Sequence, residues 1–91
     1  MTLNDIPTRS PGVVSRLMDG EAVLVHGEQG QVRVLNETGA HLWQLCDGVL
    51  SIGDLAAALA AEYDVDFPRA QADALAFCAD LAERGVLVIG G

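Results

Sequence analysis

The sequence predicts one α+β domain of winged-helix-like plan: a three-stranded antiparallel sheet, three helices, and a short C-terminal extended segment. Three observations lead there. Three Val- and Leu-rich runs separated by glycine-containing turns occupy residues 13–35, and a fourth short one follows Gly85. Helix caps and apolar residues at three- and four-residue spacing fill the remainder. Ninety-one residues allow a single modest core.

Taken in order, residues 1–11 contain Asn4, Pro7, Ser10 and Pro11 with little periodicity. They read as a flexible arm unless a neighbour ties them down, which leaves 12–91 as the folded domain. Residues 13–18 form a first strand, Asp19-Gly20 a hairpin signal, and residues 22–26 a second strand. Gly27-Glu28-Gln29-Gly30 makes the next turn and Gln31-Val32-Arg33-Val34-Leu35 the third strand.

Asn36 is an N-cap, because its side-chain oxygen accepts an orphan amide of the following turn. The first helix then covers about residues 37–47, with Leu42, Leu45 and Cys46 inward and Trp43 at its flank, and Gly48 stops it. Ser51-Ile52-Gly53-Asp54 resembles a capping box with Asp in place of Glu or Gln. It opens a second helix that presents Ile52, Leu55, Ala56, Leu59 and Tyr63 on one face. Asp66 caps the third helix, Phe67 and Pro68 occupy its first turn, and it runs to about Arg84. Ala70, Ala74, Phe77, Cys78 and Leu81 form its stripe, Gly85 ends it, and residues 86–89 are an apolar strand or wing.

Composition excludes several functions. Five arginines, no lysine and thirteen acidic residues give a formal net charge of -8. Nucleic-acid binding needs a basic patch that neutralises phosphates. An anionic surface instead favours a neutral or basic peptide. That argument also sets aside the DNA-binding role that two helices joined by a tight turn suggest. No apolar run reaches the roughly 20 residues that span a bilayer, and the N-terminus lacks a signal-peptide pattern. The expected location is the cytoplasm, with no membrane partner.

Catalytic and metal chemistry is not evident. Ser51 is explained as a cap, His26 and His41 as exposed or packed residues, and the glycines match no phosphate loop. Cys46 and Cys78 sit among apolar helical residues and read as small buried hydrophobes. With the two histidines they lack the short spacing of a structural zinc site. No enzyme activity, no cofactor and no metal are expected. Binding is the remaining class. If the third strand is a sheet edge, its unpaired backbone groups can accept an extended peptide as a further strand. The other reading is an interior strand or a bare solvent-facing edge.

Several segments resemble the PqqD-like family of peptide chaperones, the leader-peptide recognition elements of ribosomally made, post-translationally modified peptide (RiPP) pathways. They are Leu35-Asn36-x-Thr38-Gly39, Leu42-Trp43-x-Leu45-x-Asp47-Gly48, Ile52-x-Asp54-Leu55 and Leu81-x-x-Arg84-Gly85-Val86-Leu87. Their order covers about residues 11–88. The resemblance implies a stand-alone adaptor that binds the leader of a precursor peptide and delivers it to a modifying enzyme. That enzyme would be one such as a radical S-adenosylmethionine (SAM) protein or a leader peptidase, in pyrroloquinoline quinone, lasso-peptide or other modified-peptide biosynthesis.

It also implies a site, in which the leader lies beside the third strand and its apolar side chains enter a groove formed with the third helix. One wall is then Gln31, Val32, Arg33, Val34 and Leu35; Ala70, Asp73, Ala74 and Phe77 form the other. Small alanines would admit leader side chains, Phe77 would line the floor, and Arg33 and Asp73 would read charge. Core packing is the competing reading for Ala74 and Phe77. The chain departs from the family in its tight first hairpin, its short second turn and the lack of an aromatic on the third strand. The alternative function is a homodimeric structural or regulatory domain whose third strands pair with each other.

Overall fold

The computed structural model describes residues 1–27 and 30–90. Its elements are β1 (Ile6–Arg9), β2 (Val14–Met18), β3 (Glu21–His26), β4 (Gln31–Leu35), α1 (Glu37–Leu45), α2 (Ile52–Tyr63), α3 (Phe67–Glu83) and β5 (Leu87–Gly90). The antiparallel meander β2-β3-β4 and the three helices match the expected class, and a second, two-stranded sheet joins β1 to β5. Asp19 and Gly20 both adopt positive φ, 52° and 83°, the pair of values that a two-residue primed hairpin turn requires. The second turn closes through the Gly30 amide donating to the Gly27 carbonyl at 3.1 Å. Its middle, Glu28 and Gln29, lies outside the described residues.

Each helix starts where its cap places it. Asn36 accepts from the Gly39 amide at 2.8 Å, and Asp66 accepts from the Arg69 amide at 3.4 Å. Ser51 and Asp54 form a reciprocal capping box at 3.1 and 3.0 Å, so Asp serves where Glu is commoner. The core lies between Ala22, Leu24 and Leu35 of the meander and the inner faces of the helices, led by Leu42, Trp43, Ile52, Leu55, Leu59 and Leu81. Trp43 is buried rather than flanking, and Leu45 moves to the core margin. Cys46 and Cys78 are free and fully buried. Hydrogen bonding with the Cys78 thiol, and burial, push the Cys46 thiol far above its ordinary pKa, so it stays protonated.

The flexible arm expected over residues 1–11 is corrected by β1. Ile6 to Arg9 pair antiparallel with β5, from Ile6 opposite Gly90 to Arg9 opposite Leu87. The physical reason is that this segment satisfies other elements' unpaired groups. The Ile52 and Gly53 amides, orphans at the start of α2, donate to the carbonyls of Asp5 and Leu3 at 2.9 and 2.8 Å. At the end of α1, Arg9 Nη1 donates to the carbonyls of Trp43 at 3.1 Å and Gln44 at 2.7 Å. A cation there also meets the negative end of the helix dipole.

Candidate peptide-binding site

Strand order decides which strand is open. β3 is central and β4 is an edge. Among the described residues, the β4 backbone makes hydrogen bonds only to β3. Outward-directed N–H and C=O groups of alternate residues are therefore free to pair with an added strand. Residue alternation sorts the side chains. Leu35 is 7% exposed and anchors the strand in the core, while Val32 and Val34, at 65% and 59%, point to the outer face.

The open edge runs beside α3, which packs mainly on α2 and β5. One link crosses the gap: Arg33 Nη2 donates to Asp80 Oδ2. Arg84 Nε donates to the other oxygen of the same carboxylate at 3.1 Å. Asp73, Phe77, Asp80 and Arg84 recur at four-, three- and four-residue spacing and so share one stripe of α3. A cavity of about 600 Å³ opens at the N-terminal end of α3, with Leu42, Leu59 and Phe77 as apolar lining and Asp73 and Tyr63 beside them. A second, of about 410 Å³, lies at the other end, between the start of β4 and Arg84.

The expected groove residues divide between surface and core. Gln31, Val32, Arg33 and Val34 are on the open strand, and Leu35 contributes backbone alone. Asp73 and Phe77 line the larger cavity. Ala70 and Ala74 have zero exposure and belong to the core. Their expected place on the wall is corrected: their small side chains let α2 and α3 approach closely, beneath the groove. Asp73 is held 3.7 Å from Arg69 one turn away, an exposed pair of small energetic weight. Asp80 and Arg84 are not among the groove residues expected from sequence, although the stripe containing Asp73 and Phe77 continues directly into them.

The junction between β4 and α1 also has a structural account. A Cβ on Gly39 would lie 3.3 Å from the Leu35 Cβ and from Asn36 Oδ1, and 3.4 Å from Phe77 Cε1. Glycine there lets α3 bring Phe77 against the strand-to-helix corner. Among the described residues no cluster of His, Cys, Asp or Glu could hold a metal ion. No described helix is long and apolar enough to cross a membrane.

An open strand edge beside a helical stripe, on a small α+β body, is an arrangement able to receive an extended chain. Comparison with known families narrows it. Residues 21–87 match the family described as coenzyme PQQ synthesis protein D (PqqD), and this chain belongs to that family. It is similar to three solved structures. TbiB1 in complex with the TbiA(beta) leader peptide shares 32% identity over 88% of this chain and 93% of that one, with a TM-score of 0.80. Lasso peptide synthetase B1 complexed with the leader peptide shares 29% over 91% and 98%, at 0.81. The PqqD truncation of Methylobacterium extorquens PqqCD, a stand-alone RiPP recognition element, shares 28% over 90% and 87%, at 0.73. No curated protein sequence matches the chain.

Proposed function

We propose that this chain is a non-catalytic adaptor. It captures the leader of a ribosomally synthesised precursor peptide as a fourth strand on β4 and delivers it to a modifying enzyme. The observation that carries the reading is the unpaired β4 edge lying alongside the Asp73–Phe77–Asp80–Arg84 stripe of α3. Family membership supports it, and two of the similar structures hold leader peptides.

The geometry supports distinct roles for these residues. Backbone groups of Gln31 to Leu35 supply hydrogen bonds that any sequence can make. Phe77 and the apolar cavity around it supply side-chain selection. Leu35, Ala70 and Ala74 hold the edge and the helix in place from beneath. The enzyme partner, a radical SAM protein or a leader peptidase acting in the cytoplasm, determines whether the product belongs to pyrroloquinoline quinone or lasso-peptide chemistry. The test is fluorescence anisotropy with the labelled leader of a candidate precursor peptide, chosen from short reading frames found near this gene. Saturable binding, competed by unlabelled leader and not by the core segment, is expected. A leader that does not bind, or binding carried by the core segment alone, contradicts the proposal.

A further inference from the structure

The cleft beside β4 carries its charge unevenly. Arg33 and Arg84 converge on the single carboxylate of Asp80, one on each oxygen. Two guanidinium groups on one carboxylate leave one positive charge uncompensated within the trio. Among the described residues, Arg33 Nε is buried without an acceptor and His26 Nδ1 is buried without a partner. Both side chains, with Gln31 and Arg84, line the 410 Å³ cavity, over apolar walls from Leu24 and Val86. A buried polar atom left unpaired is costly, so such atoms mark a place where a partner group belongs.

We propose that this cavity is the subsite for one acidic side chain, a Glu or Asp, of the peptide that adds to β4. The inference rests on the strand-addition reading and deepens it by naming the chemistry of one peptide position. An incoming carboxylate reaches the exposed parts of the Arg84 and Arg33 guanidinium groups, whose side chains are 53% and 34% exposed, and it brings the local charge to zero. Charge-assisted bonds of this kind are stronger than neutral ones. The helix end opposes an anion less than usual, because the Gly85 and Val86 amides already bond the carbonyls of Ala82 and Leu81 at 3.1 and 3.0 Å.

The rest of the molecule makes this position selective. With a net charge of -8, most of the surface repels a carboxylate. Towards the other end of the cleft, an acid would face Asp64, Asp66 and Asp73 around the larger cavity, where Arg69 offsets one carboxylate and leaves the lining net negative. A slip of two residues along β4 keeps a side chain on the same face. It would move an acidic anchor away from the arginines and towards those carboxylates. The subsite therefore sets the register of the added strand as well as adding affinity.

The test is a cycle of dissociation constants by calorimetry. Wild-type protein and Arg84→Gln are titrated with the leader of the candidate precursor. The same titrations use leaders in which each Glu is replaced by Gln and each Asp by Asn in turn. Arg84 is half exposed at a helix end, and an unchanged melting temperature confirms that the variant folds. One amide replacement should weaken wild-type binding about tenfold. The same replacement should change binding to Arg84→Gln by no more than about twofold. A leader insensitive to every replacement, or equally sensitive in both proteins, overturns the subsite and leaves strand addition standing. A leader that fails to bind wild-type protein overturns the strand-addition reading, and the subsite with it.

Discussion

Gly48 and Asp47 show how single residues set the turn between α1 and α2. Gly48 adopts φ +84°, and a Cβ there would lie 3.0 Å from Thr8 Oγ1. Gly48→Ala adds backbone strain and a contact with β1, and should cost about 1–2 kcal/mol. A thermal melt should show Tm lowered by roughly 4–15 °C; an unchanged Tm would contradict the packing of β1 against this turn. Asp47 accepts the amides of Val49 at 2.9 Å and Leu50 at 3.3 Å. Those two bonds, Val49's first, hold its carboxyl below the usual pKa of 3.8. A depressed pKa gives stability that is fully present above the unfolded value and is lost as pH falls through the folded one. Asp47→Asn should therefore destabilise the protein at pH 7 and have a smaller effect at about pH 2. Urea midpoints at the two values check this; equal losses at both would deny the ionised carboxylate its role.

Elements were legible in the sequence where local chemistry determines them. Asn36, Ser51 and Asp66 each announced a helix start, because a cap bonds an amide only three residues away. Strand order is a different matter, since nothing within Gln31–Leu35 tells whether a neighbour pairs with its far side. The edge position of β4 emerged only from the assembled sheet. β1 was missed for a related reason. Ile6-Pro7-Thr8-Arg9 is short and contains a proline, which suits a strand only at an edge. Its partner β5 lies about eighty residues away in sequence. Deleting residues 1–9 should remove the bonds to α2 and to the α1 C-terminus and expose the buried core around Pro7. We expect a loss of at least about 3 kcal/mol, and hydrogen exchange should show β5 amides losing protection. Unaltered β5 protection would mean that the N-terminal segment contributes no strand.

For the whole molecule, charge and open edge act together. Four of the five arginines are engaged: Arg9 at the α1 carbonyls, Arg33 and Arg84 at Asp80, and Arg69 near Asp73. Arg16 lacks such a partner among the described residues, and the single positive charge left by Arg33, Arg84 and Asp80 is too small and too local, on a chain of net charge -8, to hold a phosphate backbone. Electrophoretic mobility of duplex DNA should be unaffected by this protein even at low salt, where cationic binders are strongest. A retarded band that disappears as salt is raised would reopen the DNA-binding reading. The central claim is that β4 accepts a strand, and NMR of the labelled protein bound to unlabelled leader tests it most directly. The account predicts cross-strand contacts between leader and Gln31–Leu35, with new exchange protection for the outward amides of β4 and shifts at Phe77. A bound leader that leaves the β4 amides unshifted and freely exchanging would contradict it.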